Sequence, residues 1–146
     1  VVKVQAIYFN FRERGGDFLM NTWWIDEPFI LAGSCPTDDV LKNLYQDNFR
    51  IVISLLHEAE QPPRYDPLTI SAIGYRRFNI PVSERGFPTN HQVSTFLKLV
   101  ENRDPGEKVL VHCMQGNKRT KTMAAAYLLS KGLKEDVIIN KLYLNR

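Results

Sequence analysis

The strongest constraint on this chain is a β-branched apolar run that ends in His-Cys and passes at once into a polar loop and a helix-forming stretch. The run is Lys108-Val109-Leu110-Val111-His112-Cys113-Met114-Gln115-Gly116-Asn117-Lys118-Arg119-Thr120, and it leads into Met123-Ala124-Ala125-Ala126-Tyr127-Leu128-Leu129. A short, nearly all-apolar segment of this kind is a strand buried on both faces. Cys113 therefore sits between a strand end and a helix start, where the partly positive helix terminus favours thiolate over thiol. The amides of such a loop can point inward at an anion. Arg119 lies six positions after Cys113 and can fold back over the same cradle to hold two phosphate oxygens in a fork.

The rest of the chain alternates between strand and helix patterns. Short strands are expected at Thr22–Ile25 and Phe29–Ala32 around a turn at Asp26–Pro28, and a buried strand at Arg50–Leu56. Pro36–Asp39 reads as a helix start, with Val40, Leu41, Leu44 and Tyr45 at helical spacing. His57–Pro67, with its three prolines, reads as a loop; a short helix over Leu68–Ile73 and a strand over Tyr75–Ile80 follow. Thr89 and Gln92 stand at capping-box spacing ahead of Val93, Phe96, Leu97 and Val100. Asp104-Pro105-Gly106 closes that helix, and Glu107–His112 is the next strand. Helices are expected over Arg119–Lys131, ending at Gly132, and over Lys134–Leu144. Val1–Phe11 reads as extended and Gly15-Gly16 as a turn. This alternation predicts one α/β domain over 1–146, with a central, mostly parallel sheet flanked by helices. Ligands of such sheets bind beyond the carboxyl ends of the strands, where the His112-Cys113 junction lies.

Composition narrows the function. The 146 residues carry a net charge of only +3, far from the dense basic stripe that nucleic-acid binding requires. No apolar run approaches the ~20 residues of a membrane span. Two cysteines, Cys35 and Cys113, are too few for a disulfide scaffold and lack zinc-site spacing, which predicts a reduced, cytoplasmic setting. His57 and His91 have no cysteine or carboxylate partner at ligand spacing, so no metal site is expected. The chain opens on Val1 rather than Met, as a processed or excised fragment would.

The stretch His112-Cys113-x5-Arg119-Thr120 resembles the signature loop of the cysteine-based protein tyrosine phosphatases, and the chain as a whole resembles their small atypical dual-specificity branch. Trp24-Ile25, Leu31-Ala32-Gly33-Ser34 and Pro36 are similar to the entry strands of that branch. Ile53-Ser54-Leu55 with Glu58 is similar to its central strand and following loop. Ile80-Pro81-Val82-x-Glu84-x-Gly86-x-Pro88 is similar to the loop that carries the general acid. These matches occur in family order from about Trp24 to Leu144.

The resemblance implies a three-layer phosphatase fold and hydrolysis of phosphomonoesters through a cysteinyl-phosphate, with no cofactor. Cys113 would be the nucleophile. The backbone of Met114, Gln115, Gly116, Asn117 and Lys118, with Arg119, would hold the phosphate. Thr120 would assist departure of the sulfur, and His112 would orient the loop by hydrogen bonds. The family's acid is Asp, and Glu84 stands in its place here. Asp66 is the reserve; Glu58 and Glu60 lie nearer the family's structural loop. Lys118 and Lys121 fill places where the family often has glycine, and are expected to project into water on the first helical turn. Their alternative is to recognise a second phosphate. Gly116 is expected where backbone approaches the anion closely. Cys35 is expected as a small buried side chain rather than a disulfide partner of Cys113, and Trp23-Trp24 as core and edge packing.

The substrate expected is a phosphorylated protein or peptide bearing phosphotyrosine, with phosphoserine and phosphothreonine as extensions. The rival readings are a phosphoinositide or inositol-phosphate phosphatase and a pseudophosphatase that binds phosphorylated partners without turnover. The family commonly continues past the segment matching Lys141–Arg146 with another helix, which leaves truncation as one reading of that end. Oligomeric state is not legible in the sequence.

Overall fold

The computed structural model describes residues 21–84 and 87–144. The expected extended segment Val1–Phe11 and the Gly15-Gly16 turn lie outside the described residues. Within them the chain runs β1 (Thr22–Asp26), β2 (Ile30–Gly33), α1 (Asp38–Tyr45), β3 (Phe49–Ser54), a 3₁₀ turn (Glu58–Glu60), α2 (Pro67–Ile73), β4 (Arg76–Asn79), α3 (Asn90–Glu101), β5 (Lys108–His112), α4 (Lys118–Ser130) and α5 (Glu135–Ile139). A wider π turn, Asn140–Leu144, follows α5.

The five strands form one sheet in the order β1-β2-β5-β3-β4. Only β1 is antiparallel, to β2; β2, β5, β3 and β4 are parallel. Strand β5 lies at the centre, which explains its uninterrupted apolar sequence: Val109 and Val111 face one layer and Leu110 the other. On the first face Val109 and Val111 join Phe96 and Val100 of α3 and Met123, Ala124, Tyr127 and Leu128 of α4. On the second, Leu110 joins Leu31, Val52, Val40, Leu41 and Leu44 of α1, and Ile70 of α2. The result is the three-layer α/β arrangement expected, with helices on both faces.

Local chemistry sets the element ends. The Thr89–Gln92 capping box closes in both directions, Gln92 N donating to Thr89 Oγ1 at 3.1 Å and Thr89 N to Gln92 Oε1 at 3.0 Å. Past α4, Gly132 adopts φ +88°, the left-handed conformation that a glycine C-cap supplies.

Two expectations differ in detail. The His57–Pro67 segment contains a 3₁₀ turn, because the Glu60 carboxylate reaches back to accept from His57 N at 2.9 Å. The last helix does not run evenly from Lys134 to Leu144; it widens after Ile139, with Ile138 and Leu142 both buried. Among the described residues no helix is long and apolar enough to cross a membrane.

Candidate active site

Three parallel strands deliver their carboxyl ends to one place. Strand β5 ends at His112, β2 at Gly33 and β3 at Ser54, and Leu55 N donates to His112 O at 2.8 Å across the junction. The loop from Cys113 to Asn117 springs from this point and runs into the N-terminus of α4. Asn117 offers no side-chain cap to that helix, so its first amides lack partners within the helix and face outward. The loop and helix start line a cleft of about 220 Å³ together with Glu84: its walls are Cys113, Met114, Gln115, Asn117, Lys118 and Arg119. That volume is below the roughly 300–1,000 Å³ of common organic-ligand pockets and suits a small anionic group.

The loop's peptides are held from outside. Cys113 O meets His112 Nδ1 at 3.0 Å, Met114 O accepts from Cys35 N at 3.0 Å, and Gly116 O accepts from Trp23 Nε1 at 3.0 Å. A trans peptide directs its N–H opposite to its C=O. Three carbonyls anchored outward therefore turn the amides of Met114, Gln115 and Asn117 toward the cleft. Cys113 lies at the base of this ring and is itself buried, 3% exposed. Gly116 N donates to its sulfur at 3.2 Å, and Thr120 Oγ1 lies 2.9 Å away. Between the sulfur and the Thr120 hydroxyl either atom can donate.

His112 is fully buried, and burial pulls its imidazole down to about 4. The neutral ring has one protonated nitrogen, and its neighbours decide which. Arg77 Nε donates to Tyr65 Oη at 2.7 Å, and Tyr65 Oη lies 2.7 Å from His112 Nε2. A backbone carbonyl can only accept, so Nδ1, 3.0 Å from Cys113 O, carries the ring proton and donates to it. Nε2 is then the unprotonated nitrogen and accepts from the Tyr65 hydroxyl, whose oxygen also accepts from Arg77. Burial also raises the Tyr65 hydroxyl to about 12, which keeps that proton in place.

Arg119 is buried and gripped on several sides. It forms a two-pronged pair with Glu60, Nη1–Oε1 at 2.6 Å and Nη2–Oε2 at 2.9 Å. Its Nη1 also donates to Leu55 O at 3.4 Å and Val82 O at 3.3 Å. The Glu60 side chain is 16% exposed, and its bond to Arg119 holds its carboxyl below the usual range. Val82 in turn donates from N to Leu55 O at 3.2 Å, and Gln92 Nε2 donates to Pro81 O at 2.7 Å. The loop bearing Glu84 is therefore tied at its base to the arginine, to the end of β3 and to the start of α3.

With that geometry, the family model described as "PTP-SAK: Swiss Army Knife protein, DSP-PTPase phosphatase domain" matches residues 20–143. The chain belongs to this phosphatase family. It is a cysteine-based phosphatase of the DSP–PTP type. The crystal structure of Tk-PTP in the active form is similar, at 26% identity and TM-score 0.73 over 86% of this chain and 84% of that one. PTPMT1 in complex with PI(5)P matches at 24% identity and TM-score 0.72, over 82% of this chain and 80% of its own. A Cys-to-Ser form of P. aeruginosa TpbA in complex with pTyr matches at 17% identity and TM-score 0.63, over 83% and 76%. A search of curated proteins returned no significant match.

The phosphatase loop brings Cys113, Met114, Gln115, Gly116, Asn117, Lys118, Arg119 and Thr120 together, with Glu84 on the facing wall. Asp66 is elsewhere: it caps α2, accepting from Leu68 N at 2.9 Å, and does not line the cleft. Glu58 is exposed, while Glu60, two residues on, meets Arg119. The two lysines part company. Lys118 is exposed, with Nζ 5.8 Å from the Phe87 ring centroid. Lys121 does not project into water; it is 5% exposed, with Nζ 5.3 Å from the Tyr143 ring. The turn after α5 covers this face of α4, a tertiary fact with no local sequence signal.

Gly116 is also required for a different reason from the one expected. At φ +70° a Cβ on it would lie 2.5 Å from Gly33 C. The close neighbour is the end of β2, not only the anion. Cys35 is buried and free, its amide holding the Met114 carbonyl. Trp23, Glu60, Tyr65 and Arg77 are the site's unanticipated members. No group of three or more His, Cys, Asp or Glu among the described residues is placed to hold a metal ion.

Proposed function

We propose that this phosphatase hydrolyses phosphotyrosine monoesters through a cysteinyl-phosphate on Cys113, extending to phosphoserine and phosphothreonine. The observation that carries the reading is the oxyanion cradle: inward amides, the Arg119 fork and a doubly hydrogen-bonded sulfur around one small cleft. Cys113 thiolate attacks phosphorus, forming the S–P bond as the P–O bond to the leaving group breaks. Glu84 gives its proton to the departing oxygen. Water then attacks phosphorus, returns a proton to Glu84, and the S–P bond breaks to release inorganic phosphate and thiolate. The amides and Arg119 stabilise the equatorial oxygens throughout. Gly116 N–H and the Thr120 hydroxyl receive the charge on sulfur.

The site's charge favours an aryl monoester over an inositol polyphosphate. A headgroup with several phosphates needs several free cations, whereas Arg119 is already paired with Glu60 and Lys121 lies under Tyr143. Lys118 alone adds a lysine to the cleft wall. Phosphate release should be faster from a phosphotyrosine peptide than from vesicles carrying a phosphatidylinositol trisphosphate, by at least about tenfold in kcat/KM, equivalent to ~1.4 kcal/mol at the transition state. A faster rate on the vesicles would make the chain a phosphoinositide phosphatase. Binding of the phosphopeptide without turnover would make it a pseudophosphatase.

The acid has its own test. Glu84→Gln should lower kcat on phosphotyrosine by about 10²-fold, within the usual contribution of a positioned acid. On p-nitrophenyl phosphate, whose leaving group departs without a proton, the loss should be far smaller. Equal losses on both substrates would remove Glu84 from the acid role.

A further inference from the structure

Of the three outward anchors that hold the phosphate loop, His112 adjoins the loop in sequence and Cys35 follows the end of β2, whereas Trp23 comes from the edge strand. It lies on the edge strand β1, opposite Ala32 of β2. Its ring packs, partly buried, against the core beneath α3 and α4. Its Nε1 reaches 93 positions along the chain to donate to Gly116 O at 3.0 Å. It is not part of the cleft wall, so it acts on the loop from behind.

The residue it holds is the one whose peptide turns most easily. Gly116 has φ +70°, where glycine moves at little steric cost. Its own N–H is committed to Cys113 Sγ at 3.2 Å, and the end of β2 leaves no room for a Cβ on it. The peptide that follows, from Gly116 C=O to Asn117 N–H, is therefore the freest unit of the loop. With the carbonyl outward, Asn117 N–H faces the cleft. Rotated by half a turn, the same peptide would present a carbonyl oxygen to the oxyanion, replacing an attractive dipole with a repulsive one.

We infer that Trp23 is a positioning residue of the phosphate cradle: its indole N–H, by holding the Gly116 carbonyl outward, keeps the Asn117 amide turned toward the bound oxyanion. The inference rests on the reading of the loop as a phosphate site and adds a determinant of oxyanion affinity outside the signature sequence. It makes β1 and the end of β2 a joint back wall, with Trp23 holding Gly116 O, Gly33 and Ser34 leaving no room for a Cβ at Gly116, and Cys35 N holding Met114 O.

Trp23→Phe keeps the ring and removes the donor. Trp24→Phe is the matched control, since Trp24 stacks on Phe49 at 6.4 Å in the opposite core layer. The probe is tungstate, a tetrahedral oxyanion whose binding is read without turnover. Trp23→Phe should weaken tungstate inhibition by about tenfold and lower kcat/KM on the phosphotyrosine peptide to a similar degree, because one aligned donor is lost. Trp24→Phe should leave both within about twofold, even where its Tm falls as far. Tungstate inhibition of Trp23→Phe within about twofold of wild type would overturn the inference while leaving the phosphatase reading intact.

A second measurement does not depend on Trp23→Phe folding. In ¹⁵N spectra of Trp24→Phe, the remaining indole N–H resonance should shift as tungstate saturates the site, at the concentration that inhibits turnover. A resonance that stays in place would also overturn the inference. Failure of wild type to bind tungstate at all would remove the phosphate-site reading on which it rests.

Discussion

Cys113→Ser is expected to abolish phosphate release from a phosphotyrosine peptide, a loss on the order of 10⁴-fold or more, comparable to removal of a nucleophile elsewhere. The site is built around the Cys113 sulfur. Gly116 N donates to Sγ at 3.2 Å and Thr120 Oγ1 lies at 2.9 Å, distances set for a large, polarisable atom. A serine hydroxyl gains no base from His112, the adjacent residue, whose Nε2 is engaged by Tyr65 and whose Nδ1 is engaged by the Cys113 carbonyl. The alcohol would remain protonated and inert. The cradle itself would survive, because the amides of Met114, Gln115 and Asn117 are oriented by the His112, Cys35 and Trp23 anchors, and only Gly116 N–H bonds to the sulfur. Phosphopeptide binding should therefore persist while turnover vanishes. Release at the wild-type rate would show that another group attacks phosphorus, and the cysteinyl-phosphate would have to be abandoned.

The parts of this site that are legible in the sequence are those contiguous in it. A buried strand, a polar loop with one glycine and a helix start announce themselves within a short stretch, because each leaves a local pattern: apolar continuity in Val109–Val111, glycine at position 116, an alanine-rich run after Thr122. The α/β order is legible for the same reason, since strand and helix periods differ. What escapes the sequence arrives through tertiary contact. Trp23 and Gly116 are 93 positions apart, and Glu60 and Arg119 are 59 apart. Glu58 and Glu60 look interchangeable in a proline-rich loop; only the 3₁₀ turn separates an exposed carboxylate from one facing the arginine. Asp66 resembles a spare acid until α2 begins behind it and claims its carboxylate as a cap. Arg77 and Tyr65 carry no motif at all, yet they complete the hydrogen-bond chain on the Nε2 side of His112. Supporting groups need only the right atom in the right place, which many residue types and positions can supply, so no spacing rule reveals them.

Arg119→Lys should lower kcat/KM on phosphotyrosine by roughly 10²–10³-fold, the cost of losing a preorganised donor at the transition state. The charge would be kept, so a loss of this size isolates geometry. Arg119 Nη1 spends itself on Glu60 Oε1, Leu55 O and Val82 O, and Nη2 on Glu60 Oε2. This leaves the Nε side of the planar fork to meet two phosphate oxygens at once. A lysine ammonium is a single point donor. Drawn to Glu60, it leaves the phosphate short of its clamp; drawn to the phosphate, it leaves Glu60 with no charged partner in a largely buried place. Glu60→Gln separates these two costs. The amide keeps one acceptor for Arg119 and removes the negative charge that competes with phosphate, so the guanidinium is held less firmly but attracts the oxyanion more strongly. Ground-state affinity for tungstate should then hold or improve while kcat falls by about tenfold, since misaligned clamps cost rate more than binding. Arg119→Lys should weaken both. Steady-state kinetics with tungstate inhibition on the two variants would check this split. Equal losses of affinity in both would show that Glu60 serves only to pack the arginine, and that the fork is aligned by Leu55 O and Val82 O alone.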